Sequence, residues 1–163
     1  MQDIKGHLKW CLKQKKGIKI AKSSENLTKA YLKKSKNALK SMEINAEAGI
    51  TEWAVSTSYY AKYFAVYALL VKIGAKCEIH DCTITLFEYL FSHSIPEEII
   101  KELKHSKEDR VEMQYYTQEI NLDLKQTIRN TRKFVLNIEN IIDNLNPEKT
   151  TIIRKKLKTL VTE

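Results

Sequence analysis

Residues 53–71 read WAVSTSYYAKYFAVYALLV, and of these 19 positions only Ser56, Thr57, Ser58 and Lys62 are neither apolar nor aromatic. A helix this apolar on every face has two homes, a bilayer or the centre of a bundle. Lys62 near the middle would cost about 2.5 to 3.5 kcal/mol on insertion scales, and the hydroxyl groups weaken the drive further. No second segment of this kind accompanies it. The reading is therefore burial, with a helix over 52–73, a stop at Gly74 and no membrane partner.

The neighbours that must cover this helix are legible on both sides. Residues 124–145 carry Leu124, Ile128, Thr131, Val135, Ile138, Ile142 and Leu145 at alternating spacings of 4 and 3, a bundle seam. Asn146-Pro147-Glu148 supplies a cap, a proline at the first helical position and an anion at the positive end of a final helix. Upstream, Ser23, Ser24 and Glu25 open a long helix that places Leu27, Tyr31, Ala38 and Met42 on one face and ends near Gly49, with Thr51 capping the next. Residues 1–21 predict a short amphipathic helix stopped near Gly17. After Gly74, Asp81 is expected to cap a helix through Phe91. The Ser94-Ile95-Pro96-Glu97 spacing is that of a capping box, followed by a short helix to about Leu103 and a polar loop over 104–110. Fold class follows: all-α, an up-and-down bundle of about five to seven helices. Residues 1–163 form one domain in this reading, with 1–21 a basic segment appended to it.

Only 4 Gly and 2 Pro occur in 163 residues, too few for the turns of a β-sandwich, collagen or a disordered chain. Charge is uneven. Residues 1–40 hold 12 Lys against Asp3 and Glu25, the stretch 41–146 is net acidic, and the whole chain sums to +8. Such asymmetry can mark a polyanion-binding end or a solvated basic face. Lys29, Lys33, Lys36 and Lys40, spaced 4, 3 and 4, form the candidate nucleic-acid-binding stripe. Cys11, Cys77 and Cys82, with no apolar signal region preceding them, are expected reduced in a cytoplasmic protein, with a Cys77–Cys82 bridge as the alternative that spacing leaves open.

The familiar catalytic signatures are missing: no glycine-rich phosphate loop, zinc helix, nucleophile elbow or paired Cys-x-x-Cys. Cys77, His80 and Cys82 cluster, but their order fits no zinc spacing, so no metal and no cofactor are expected. Tyr59, Tyr60, Tyr63 and Tyr67 on the apolar helix read either as core-edge packing or as a stacking surface.

The tract Ala54–Phe87, with NLTKAYLKKSKNALK before it and RVEMQYY after it, resembles the prokaryotic HEPN family, in particular its small stand-alone branch. The resemblance implies a helical bundle that often forms a homodimer. It also implies one of two settings: a metal-independent ribonuclease acting on RNA, or the partner of a small nucleotidyltransferase in a toxin–antitoxin pair. The family's ribonuclease motif is an Arg followed by a His four to six residues on, and no His follows Arg110, Arg129, Arg132 or Arg154 here. Related tyrosine-pair helices place Arg before the pair and His after it, where this chain has Thr57 and Phe64. The positions that do match are Tyr59, Tyr60, His80, Arg110 and Tyr115, which define the candidate polar site, and no residue is assigned a catalytic role. The resulting expectation is a non-catalytic partner module, with a divergent ribonuclease and a basic nucleic-acid binder as alternatives.

Overall fold

The computed structural model describes residues 3–116 and 122–162. Among these the chain forms helices α1 (Ile4–Lys13), α2 (Glu25–Glu47), α3 (Thr51–Lys72), α4 (His80–Phe91), α5 (Glu97–Tyr115), α6 (Leu124–Asp143) and α7 (Pro147–Thr162). The architecture is all-α, as the periodicity predicts. Two strands of two residues each, β1 (Lys19–Ile20) and β2 (Ala75–Lys76), pair antiparallel and were not foreseen.

α3 is the axis of the bundle, buried from Ala54 to Val71 except at Thr57, Tyr60 and Phe64. α2 runs antiparallel to it: the buried Ser35 hydroxyl donates to the Ala61 carbonyl at 2.7 Å, and Lys72 meets Glu25 at the other end. α5 is antiparallel along a second side, with Lys62 facing Ser106 and Arg110 beside Tyr59 and Tyr60. α6 packs against both α2 and α3. Its Glu139 pairs with Lys36 at 2.7 Å, Arg132 pairs with Glu43 at 2.7 Å, and Thr131 shares a 2.8 Å hydrogen bond with Ser58. The predicted seam buries Thr131, Val135, Ile138 and Ile142, joined by Phe134.

Lys62 is 3% exposed, so the charge that argued against a bilayer sits in a protein core. Its ammonium donates to Ser106 Oγ at 2.6 Å and lies 3.0 Å from Glu102 Oε1. Burial lowers its pKa, with Glu102 pulling the other way. Among the described residues no helix is long and apolar enough to cross a membrane.

Several local expectations are corrected. α5 continues through the polar stretch 104–110 to Tyr115, because Lys, Glu, Arg and Met are good helix formers and Leu103 and Ser106 still face the core. Leu27 is 52% exposed, leaving Thr28, Ser35 and Met42 as the buried row of α2. Caps also shift. Thr51 and His80 are first helical residues after the uncapped positions Ile50 and Ile79, and Asp81 instead pairs with Lys107. Pro96 takes the cap position of α5 without a side-chain bond, so the Ser94–Glu97 box does not form. α1 ends at Lys13 rather than near Gly17. Asn146 does cap α7 as expected, its side chain accepting from Lys149 N at 2.8 Å.

Cysteine is the largest departure. Cys11 of α1 is bonded to Cys82 of α4 across 71 positions, while the buried Cys77 stays free. The expected reduced state therefore fails for two of the three thiols.

Candidate functional site

The stripe of α3 left partly open, Trp53, Thr57, Tyr60 and Phe64, advances by 4, 3 and 4 residues and so forms one continuous helical face. Trp53 is 51% exposed at its start. α2 brings Tyr31 and Lys34 to one flank, with the Tyr31 ring centroid 6.2 Å from that of Phe64 and 4.6 Å from that of Tyr67. The Lys34 ammonium stands 5.2 Å from the Tyr31 ring and 5.5 Å from the Phe64 ring, within cation–π range.

The other flank holds the residues expected to form the polar site. Tyr59 is fully buried, and its hydroxyl meets His80 Nδ1 at 2.7 Å. His80, at the first position of α4, stacks flat on Tyr63, with ring centroids 4.1 Å apart and planes 4° apart. Arg110, brought in by α5, places its guanidinium carbon 5.1 Å from the Tyr60 ring and 5.6 Å from the Tyr59 ring. Its buried Nε has no hydrogen-bond partner, and no carboxylate pairs with Arg110 among the described residues. Four of the five expected residues, Tyr59, Tyr60, His80 and Arg110, thus converge; Tyr115 is 75% exposed at the end of α5.

Electrostatics decide what this cluster can do. Burial raises the Tyr59 and Tyr63 phenols well above their usual range, so both keep their protons. Burial, then Arg110 and Lys107, lowers the His80 pKa against a weaker pull from Asp81. His80 is consequently neutral near pH 7. The Tyr59 hydroxyl and His80 Nδ1 share one hydrogen bond, so one ring nitrogen is already engaged. A neutral, stacked imidazole of this kind is not a cationic acid.

A family model for the HEPN domain matches residues 28–146. The chain belongs to the HEPN family. No curated protein matches it. Within this HEPN chain, Thr57 hydrogen-bonds only to its own helix, to the carbonyls of Trp53 and Ala54, and Phe64 packs against Tyr60 at 5.9 Å between centroids. Neither supplies a charge on the open face.

Sequence reasoning read Tyr63 as packing or a stacking surface and not as the platform under His80, placed Tyr31 only on the packing face of its helix, and did not single out Lys34. The first was available as an i, i+4 neighbour of Tyr59; the other two depend on how α2 packs. The lysine stripe is exposed on α2, but Lys36 is engaged by Glu139, leaving Lys29, Lys33 and Lys40 without an ion pair among the described residues.

Proposed function

We propose that this chain is a non-catalytic HEPN bundle, a single domain with residues 1–21 appended, that forms a homodimer and acts as a binding or partner module. Its setting is a cytoplasmic system linked to a small nucleotidyltransferase, of toxin–antitoxin type, or to RNA. The observation that carries the reading is the engaged state of His80: its Nδ1 is bonded to Tyr59, its ring is held against Tyr63, and its charge is suppressed by burial and by Arg110. Cleavage of RNA without a metal needs a group that moves a proton, and no second histidine adjoins the cluster. Recognition needs less. The Tyr60–Phe64 face offers flat rings, and Arg110 sets a guanidinium beside the Tyr59 and Tyr60 rings.

The test is incubation of the purified chain with structured and single-stranded RNAs in chelator, alongside light scattering after gel filtration. No cutting, and a dimer mass that drops to monomer in Tyr60→Glu, are expected. Cutting that disappears in His80→Ala or Arg110→Ala would replace this reading by the divergent ribonuclease.

Direct nucleic-acid binding has one specific observation in its favour: the exposed Lys29, Lys33 and Lys40 share α2 with Tyr31 and Lys34, next to the aromatic face. Counterion release then makes affinity fall steeply with salt, and a triple Lys→Gln variant should lose most of it. Salt-independent binding would remove this reading.

A further inference from the structure

Away from the aromatic face, α1 and α4 bring three metal-ligating side chains together. His7 and Cys11 are one turn apart on α1, and Cys82 is the third residue of α4. A His7 ring nitrogen and the two sulfurs all lie within 4.8 Å of one another. Both cysteines are fully buried, with Cα atoms 5.6 Å apart. On a tetrahedral zinc ion with Zn–S bonds of about 2.3 Å, two thiolates stand roughly 3.8 Å apart. That separation falls inside the space these atoms already occupy.

The surroundings prepare the imidazole for such a role. Thr85 Oγ1 spends its one hydrogen on the Asp81 carbonyl at 2.9 Å, so in its 2.9 Å bond with His7 Nδ1 the hydroxyl accepts. His7 is thereby held as the Nδ1–H tautomer, with the lone pair on Nε2, and its ring is steadied by Trp10 stacked 5.8 Å away. An outer partner that fixes the tautomer is the usual support of a metal-bound histidine, and a bare disulfide has no use for it. A cleft of about 320 Å3 lined by His7, Asp81, Thr85, Lys107 and Glu108 opens beside the imidazole and leaves room there for a fourth, solvent ligand.

We propose that His7, Cys11 and Cys82 form a redox-gated site for a thiophilic divalent ion of the zinc type, closed in the disulfide form described here and open in the dithiol form. Two equivalents of a small-molecule thiol reduce the Cys11–Cys82 bond and leave as their own disulfide. The ion then binds as two thiol protons pass to solvent, with imidazole as third ligand. His7 and Cys11 precede the residues 28–146 matched by the family model, while Cys82 lies within them, so the site joins this chain's N-terminal helix to the shared bundle.

Cobalt(II) is the probe, because thiolate ligation gives a charge-transfer band and tetrahedral geometry gives intense d–d bands. The full chain is reduced with a phosphine and titrated anaerobically, and compared with the untreated disulfide form, which needs no substitution. One Co2+ per chain, displaced by Zn2+, is expected in the reduced protein and none in the oxidised one. Cys77→Ser should bind as wild type, Cys11→Ser should lose the thiolate band's full intensity, and His7→Ala should bind at least about tenfold more weakly. Three results would overturn the site: no Co2+ bound after verified reduction, unchanged affinity in His7→Ala, or loss of binding in Cys77→Ser with retention in Cys11→Ser. The last would place the ion on Cys77, His80 and Cys82.

Discussion

At the scale of single residues, two buried titratable groups carry distinct consequences. His80 titrates near 6.5 in an unfolded chain and lower in the fold, where burial and Arg110 oppose its charge. Between those two values the unfolded state binds the extra proton. Stability is therefore full above about pH 6.5 and declines as pH falls toward the folded value. Denaturant midpoints between about pH 5 and 7 should show this slope in the wild type and a shallower one in His80→Gln; equal slopes would mean that His80 is not held neutral. Lys62 makes the second case. Removing one partner of a buried pair strands the other, whereas replacing both by apolar chains of similar length removes the desolvation cost. Glu102→Gln should cost about 2 kcal/mol, less than for a fully buried pair because the Glu102 side chain is 33% exposed. Replacing both, Lys62→Met together with Glu102→Met, should cost nothing or stabilise by up to about 3 kcal/mol. If the double variant instead proves more damaging than Glu102→Gln, the ammonium's bond to Ser106 outweighs its desolvation.

At the scale of elements, the C-terminal end of α3 depends on distant segments. Its last carbonyls, at Lys72 and Ile73, accept from Ser23 Oγ at 2.6 Å and Arg154 Nη1 at 3.1 Å, and the Gly74 carbonyl accepts from Ala21 N at 2.8 Å. Gly74 permits this with φ of 77°, and a Cβ there would strike the Arg154 guanidinium and the Ala21 carbonyl. Gly49, with φ of 72°, has open space around it. Gly49→Ala should cost about 1 kcal/mol from backbone strain alone, and Gly74→Ala clearly more, about 2–3 kcal/mol, by thermal or denaturant unfolding. Equal costs would show that the α7 and β1 contacts yield freely. The reading of α5 failed at this same scale for a related reason. Polar residues at 104–110 look like a loop when no face is apolar, yet they persist as helix because Leu103 and Ser106 are held against α3 and Arg110 against its tyrosines.

At the scale of the whole molecule, the Cys11–Cys82 bond ties α1 to α4 and closes a loop of 71 positions. Chain-entropy reasoning puts its stabilisation at about 4 kcal/mol, as an upper figure. Reduction in the presence of a chelator should lower the unfolding midpoint accordingly and speed amide exchange in Ile4–Lys13 first, since α4 is the main support of that helix. An unchanged midpoint would mean that packing of the buried Leu8 alone holds α1 in place.

The sequence by itself determined the central place of α3, the seam of α6, the cap of α7 and the family. Each of these is encoded locally, in apolar periodicity or in a capping residue beside its helix. It also marked Tyr59, Tyr60, His80 and Arg110 as residues to watch. Tertiary structure alone decided that these four meet, that His80 rests on Tyr63 with its Nδ1 bonded to Tyr59, and that Tyr31 and Lys34 extend the aromatic face. It alone joined Cys11 to Cys82 and set His7 beside them. The reason is sequence separation: contacts between residues 17 to 78 positions apart are fixed by how helices cross, which no local pattern records.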